Sequence, residues 1–327
     1  MKNFLVINTS FFGDVLLTNT LCQNIKLAYP ESNIIFMVNK PFYEAAKYMA
    51  GVDEVVCYDK AGIHKGLAGI LTFLKEHRGS LKDRIDVAFV LYGNERGICI
   101  AKALGAHTII SDNRGLLHYL FSTISVEKGL GTVQQENTKL IKALTHQKAV
   151  DLPVKYTPPL AAETYVQKLF SQLGIQPQDE LVGLCAISKK TEKDMPLSTA
   201  VEVITSLQQT GKKVVYLGAG PTAAEYAAEL RSRGCCSFVD LTDKTSIAEL
   251  AAVIQSCAAV ISVDTGTLHL TCAAGVPLVA LFYVNDCRHL AKWAPAKYYP
   301  HVLLSENITT ANILHSLQTL LVSEGTQ

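Results

Sequence analysis

The chain has 327 residues, of which 49% are hydrophobic and 18% charged, and its formal net charge is +1 at pH 7. A charged share below the usual quarter excludes a disordered chain and fits a globular α/β protein with much buried strand. The near-zero balance supplies no general attraction to nucleic acid, so no nucleic-acid partner is expected and any polyanion must meet a local site.

The apolar run Phe4–Ile7 reads as a buried strand, Thr9–Gly13 as a turn, and Asp14 as the opening of a helix with Leu17, Leu21, Cys22, Ile25 and Ala28 on its apolar side. Strands follow at Asn33–Val38, Glu54–Tyr58, Val87–Leu91 and Thr108–Ile110. Helices near Tyr43–Met49, Leu67–His77 and Gly97–Leu104 separate them, and Val133–Thr145 closes this half. Ala149–Leu160, with Pro153, Pro158 and Pro159 and no periodicity, reads as a linker. The alternation then restarts. Helices are expected at Thr164–Leu173, Leu197–Gln209 and Ala223–Arg233, and strands at Leu181–Ala186, Lys213–Leu217 and Ser237–Asp240. Ser246-Ile247-Ala248-Glu249 is a capping box opening a helix to Gln255, and Thr310–Leu321 is a final amphipathic helix. Such alternation specifies an α/β fold of two doubly wound parallel-sheet, Rossmann-like domains, residues 1–150 and 160–327, facing across a cleft at their strand ends. The final helix is a candidate to pack back on the first domain.

The cysteine pattern and the N-terminus bear on location. The nine cysteines include no C-x-x-C, which reads as reduced, buried thiols in a cytoplasmic protein, with Cys235-Cys236 as packing. Lys2 precedes only a four-residue apolar run, too short for a signal peptide, and no uncharged apolar span of about 20 residues is present.

The most informative stretch is Ile261–Phe282, ISVDTGTLHLTCAAGVPLVALF, which reads as strand, tight loop, short helix, turn and strand. A first helical turn has free N–H groups and a partial positive charge, so it suits a phosphate. Gly266 permits close approach, Thr265 and Thr267 add hydroxyls, Asp264 can fix the loop or a ribose, and His269 can reach a ligand. The same residues also suit a plain N-capped helix. Asp14 carries the same ambiguity: a carboxylate just past the first strand can be a helix cap or a general base. The loop Ser188–Pro196 carries Lys189, Lys190 and Lys193, and reads either as a solvated basic loop or as a diphosphate site. Gly218-Ala219-Gly220 after a strand is a weak dinucleotide signal, because Ala223 stands where G-x-G-x-x-G needs its last glycine. Lys60, His64, Lys65, Lys75, His77, Arg78, Lys82 and Arg84, with Leu67, Ile70, Leu71 and Phe73, form a basic region that is either a solvated helix face or a contact for an anionic acceptor or membrane. Asn94 and Arg96 are further cleft candidates. No carboxylate cluster has metal-ligand spacing, so no metal is expected.

Several of these segments resemble glycosyltransferase family 9, the heptosyltransferases of bacterial lipopolysaccharide assembly. Asp264-Thr265-Gly266, His269, Ala273-Ala274-Gly275-Val276-Pro277 and Leu281-Phe282 resemble the family's D-[TS]-G-x-x-H-x-x-x-A-x-G-x-P…L-F signature. Thr9-Ser10-x-x-Gly13-Asp14 resembles its N-terminal T-S-x-x-G-D motif, with Asn8 where members often carry Lys. Lys193 and Pro196 match its K-x-W-P element, with Met195 for Trp. Gly218–Pro221 is similar to its G-G-P loop, and Leu241-Thr242-Asp243 to its L-T-G segment. Positions 223 and 224 lack the acidic residue often found after that Pro, leaving Glu225 as the nearest candidate. After Phe282 the chain departs from the family's G-[PS]-T with Tyr283, Val284, Asn285 and Asp286.

The resemblance implies the GT-B architecture and an inverting, metal-independent transferase, without a cofactor, moving heptose from an ADP-sugar to an inner-core lipopolysaccharide acceptor. It implies Asp14 as base and Lys193 on the diphosphate. The donor would be bound by Ser188, Thr191, Gly218, Gly220, Glu225, Asp264, Thr265, Gly266, Thr267 and His269, and the acceptor by Ser10, Gly13, Lys65, Asn94 and Arg96. The expected partners are a nucleotide sugar and an anionic glycolipid, for a cytoplasmic monomer that contacts the inner membrane peripherally. A related transferase using another nucleotide sugar, and a non-catalytic sugar-nucleotide-binding protein, are the alternatives. A Rossmann dehydrogenase or epimerase is disfavoured by the incomplete glycine motif and the missing Tyr-x-x-x-Lys.

Overall fold

The computed structural model describes residues 1–92, 94–112, 115–234, 237–284, 286–295 and 301–324. The chain divides into two compact units, Met1–Val154 and Lys155–Gln327.

The first unit runs β1 (Asn3–Asn8), α1 (Phe12–Leu17), α2 (Asn19–Ala28), β2 (Asn33–Asn39), α3 (Tyr43–Lys47), β3 (Glu54–Tyr58) and α4 (Gly66–Leu81). It continues with β4 (Val87–Val90), α5 (Glu95–Ala103), β5 (Thr108–Asp112), α6 (Leu116–Phe121), β6 (Ile124–Val126) and α7 (Val133–Thr145). Its six strands are all parallel, in the order β3-β2-β1-β4-β5-β6. The middle strands are continuous apolar runs because both faces are covered: Phe4, Leu5, Val6 and Ile7 are fully buried, as are Ala88, Phe89 and Val90.

The second unit runs α8 (Leu160–Gln172), β7 (Leu181–Cys185), α9 (Leu197–Gln209), β8 (Lys213–Tyr216), α10 (Pro221–Ser232), β9 (Val239–Asp240) and α11 (Ile247–Gln255). It continues with β10 (Ala259–Val263), α12 (Gly266–Ala274), β11 (Leu278–Phe282), α13 (Cys287–Trp293), β12 (Val302–Leu304) and α14 (Thr310–Glu324). The parallel sheet order is β12-β11-β10-β7-β8-β9, the same winding as the first read from its other edge. α14 lies against α9, β10 and β11, so the final helix docks on the sheet of its own unit.

Several elements differ from the sequence expectation. The first helix is two: Thr18 donates through Oγ1 to the Asp14 carbonyl at 2.8 Å and separates α1 from α2. A threonine hydroxyl that bonds the preceding turn commonly bends a helix. α8 starts at Leu160, directly after Pro158-Pro159, because proline is tolerated before the first turn, where its missing N–H has no partner to lose. α6, β6, α13 and β12 were not anticipated at all. The capping box at Ser246 forms as expected, with Ser246 Oγ accepting the Glu249 N–H at 3.4 Å and Glu249 accepting the Ser246 N–H at 2.7 Å. The adjacent Cys235-Cys236 and Asn285 lie outside the described residues.

Candidate active site

In each sheet the strand order reverses once, between β1 and β4 in the first unit and between β7 and β10 in the second. Loops leaving the C-terminal ends of strands at such a reversal turn to opposite faces and open a crevice, which is where doubly wound sheets bind ligands. The segments that follow β1 and β4, loop and first helical turn, carry Ser10, Gly13 and Asp14, and Asn94 with Arg96. Those after β7 and β10 carry Ser188, Thr191 and Lys193, and Asp264, Thr265 and Gly266. Lys65 follows β3, at the sheet edge, and is not brought to the reversal.

In the first unit the crevice is built around Asn8. Fully buried at the end of β1, its Nδ2 donates to the Asp14 carbonyl at 3.0 Å and to Thr18 Oγ1 at 2.8 Å, while its Oδ1 accepts the Ser10 N–H at 3.0 Å. Asp14 is the third residue of α1, and its Oδ2 accepts the Phe11 N–H at 3.2 Å. The carboxylate is thus fixed within the positive first turn rather than preceding it as a cap residue. Asn94 caps α5 by accepting the Gly97 N–H at 3.1 Å and donates to Thr9 Oγ1 at 3.0 Å, tying the two loops of the reversal together. Lys60, following β3, also holds the first of these loops, donating to the Thr9 carbonyl at 2.7 Å. Arg96 is exposed and faces the Tyr58 phenol.

Sequence reasoning missed Tyr92. It adopts a left-handed backbone conformation (φ 61°), and Lys128 Nζ sits 4.3 Å from its ring centroid. Burial, and then the nearby Asp14 carboxylate, push its phenol well above the ordinary range, so it stays protonated. Its position before Asn94, at the end of a strand adjoining β1, was the available signal.

His64 does not belong to a basic surface. It is buried, its Nδ1 accepts the Asp59 N–H at 2.9 Å, and its Nε2 lies 2.9 Å from Glu76 Oε2. Its ring packs on Tyr58 and Phe73 at 5.1 and 5.3 Å between centroids. It is a satisfied core histidine that anchors the start of α4. Lys65, next to it, is exposed.

In the second unit, Lys193 ends the 3₁₀ turn Thr191–Lys193 and ion-pairs through Nζ with Asp264 Oδ2. The sequence reading missed His289, on α13, whose Nε2 lies 2.6 Å from the same oxygen and 3.2 Å from Lys193 Nζ. Asp286 caps that helix, its Oδ1 accepting the Arg288 N–H at 3.0 Å. An Asp cap with His and Trp four residues apart on a short helix was the usable signal. Burial opposes ionisation of Asp264, but the hydrogen bonds from Lys193 and His289 prevail and hold its carboxyl below the usual range.

Asp264 leads into Thr265, whose extended backbone (φ −149°, ψ 178°) precedes α12 and whose side chain makes no capping hydrogen bond. A helix start next to a lysine is a ready anion site. His269, one turn in, is buried, and its ring lies 6.1 Å from Trp293. Burial pushes its pKa down to about 4. At neutral pH it therefore offers a hydrogen bond and no charge.

The remaining donor candidates are partly committed within the protein. Ser188 Oγ donates to the Lys190 carbonyl at 2.8 Å and accepts its N–H at 3.0 Å. Thr191 is exposed in the same turn. Thr267 accepts the Thr271 hydroxyl through its carbonyl at 2.9 Å. Met195, where the family motif has Trp, is buried in the core beside the lysine turn. A Cβ on Gly218 would lie 2.8 Å from Ala223 Cβ and 3.0 Å from Tyr216 Cε1, so the close approach of α10 to β8 requires glycine. Gly220 is left-handed (φ 82°), and its N–H donates to Asp243 Oδ1 at 2.8 Å. Glu225 is exposed on α10. Among the described residues, no three His, Cys, Asp or Glu side chains are grouped to hold a metal ion.

Two doubly wound α/β units, one with a carboxylate and the other with a lysine and a helix start at its sheet reversal, define the GT-B class of transferase fold. The model of glycosyltransferase family 9 (heptosyltransferase) matches residues 79–311, and the chain belongs to that family. Lipooligosaccharide heptosyltransferase 2 of Haemophilus influenzae is 25% identical over 296 residues, covering 86% of this chain and 83% of the relative. A glycosyl transferase family 9 structure from Veillonella parvula superposes with a TM-score of 0.89 at 21% identity, covering 98% of both chains. The ADP-heptose lps heptosyltransferase II of E. coli superposes with a TM-score of 0.82 at 18% identity, covering 99% of this chain and 100% of its own.

Proposed function

We propose that this glycosyltransferase moves heptose from ADP-heptose to an inner-core acceptor of lipopolysaccharide, inverting the anomeric centre. The donor and acceptor classes come from the names of its relatives. The observation that carries the reading is the Lys193–Asp264 pair at the start of α12.

In this reading Asp14 takes the proton of the acceptor hydroxyl as that oxygen bonds to the anomeric carbon. The bond from that carbon to the diphosphate breaks on the opposite side, and its electron pair leaves with ADP. Lys193 and the α12 start stabilise the negative charge that develops on the leaving diphosphate, the task a metal performs in other transferases. Asp264 and neutral His269 hold the donor, and the first unit receives the acceptor. An anionic glycolipid acceptor implies peripheral contact with the inner membrane, for which exposed Lys65, Leu67 and Leu71 at the start of α4 are the candidates.

Transfer from a different nucleotide sugar is the second reading. It is favoured by Asp243, which occupies the Gly220 N–H, and by Tyr283, which replaces the small residue expected after Phe282. Calorimetric titration with ADP, UDP, GDP and ADP-heptose separates the two. Selective binding of adenine species supports the first and another selectivity the second. Binding of none would overturn both.

A further inference from the structure

We propose that His289 is a positioning residue that takes over Asp264 when Lys193 leaves it for the donor diphosphate. The inference rests on the reading of Lys193 as the diphosphate cation. Two donors converge on one oxygen: Lys193 Nζ and His289 Nε2 both address Asp264 Oδ2, and stand 3.2 Å from each other. A carboxylate only accepts, so His289 carries a proton on Nε2 toward Asp264, and in that form its ring offers Lys193 nothing. Both donors hold the same carboxylate oxygen, which has room for two.

Lys193 gives its charge fully to a diphosphate only by turning from Asp264, since an ammonium shared between two anions is divided between them, and Asp264 then needs another donor. Its side chain is only 8% exposed, and a buried carboxylate without a donor is strongly disfavoured. His289 resolves this conflict. Its Nε2–H, at 2.6 Å, remains on Asp264 after the lysine swings away, so the carboxylate stays partnered and oriented. The ring is held for this task by Phe282 and Trp293, with centroids 6.4 and 6.3 Å away.

The test is a calorimetric cycle with ADP on the full chain, using wild type, His289→Leu, Lys193→Met and the double variant. His289→Gln is a fifth protein that keeps a donor toward Asp264. ADP affinity is expected to fall about tenfold in His289→Leu, the order set by leaving a buried acceptor unpaired. It is expected to stay within about threefold of wild type in His289→Gln, and to be the same in Lys193→Met with and without His289→Leu. That last equality is what a merely structural histidine would not produce. Equal losses from His289→Leu in both backgrounds, no loss in either, or failure of Gln to rescue would overturn the proposal. Unchanged ADP affinity in Lys193→Met would instead overturn the reading of Lys193, and the proposal with it.

Discussion

Replacing Asn8 with Ala isolates what fixes the loop that carries Asp14. The asparagine is fully buried, and its amide makes three hydrogen bonds: to the Asp14 carbonyl, to Thr18 Oγ1 and from the Ser10 N–H. At about 1 kcal/mol net for each bond, the loss is about 3 kcal/mol. For a unit of this size each kcal/mol moves the melting midpoint by about 2–4 °C, so a fall of roughly 6–12 °C is expected. The second unit keeps its own core and its Lys193–Asp264 pair, so nucleotide affinity should persist below the transition while turnover falls. Differential scanning calorimetry with ADP titration reads both. A midpoint within about 2 °C of wild type would refute the claim that this amide anchors the loop.

Two further outcomes follow from the site. His269 has its folded-state pKa lowered from 6.5 to about 4, so the folded protein binds fewer protons than the unfolded chain between those values. Its contribution is complete above pH 6.5 and is lost as the pH falls toward 4, about 3 kcal/mol in all; urea melts across that window should show a shallower acid slope in His269→Gln. Exhaustive chelation with EDTA should leave turnover unchanged if Lys193 and the α12 start supply the positive charge, and restoration of lost activity by a divalent ion would contradict that.

Much of the architecture is legible in the sequence because parallel strands buried on both faces are continuous apolar runs, as in Phe4–Ile7 and Ala259–Val263. Asp14, Lys193 and Asp264 could be singled out because each sits just past such a run, where a sheet reversal opens a crevice. α6 was invisible for the opposite reason: Leu116, Tyr119 and Leu120 are exposed while Leu117 packs on the core, so its apolar residues mark no single face. β6 and β12, at three residues each, are too short to show a pattern. His289 meets Asp264 from 25 positions away, and no local spacing encodes that meeting. His64 misled because a run of basic residues shows charge and not burial. Glu76, 12 residues on, and Phe73 close over it only when α4 packs.

The most direct measurement incubates the protein with ADP-heptose and a heptose-deficient lipopolysaccharide acceptor, and follows both ADP release and acceptor mass. Heptosyl transfer with Asp14 as base predicts one ADP for each heptose gained, and an anomeric configuration in the product opposite to that of the donor. It also predicts a turnover loss of about 10²–10⁴-fold in Asp14→Asn with ADP affinity unchanged. Donor bound without any gain in acceptor mass, or Asp14→Asn turning over at the wild-type rate, would contradict it.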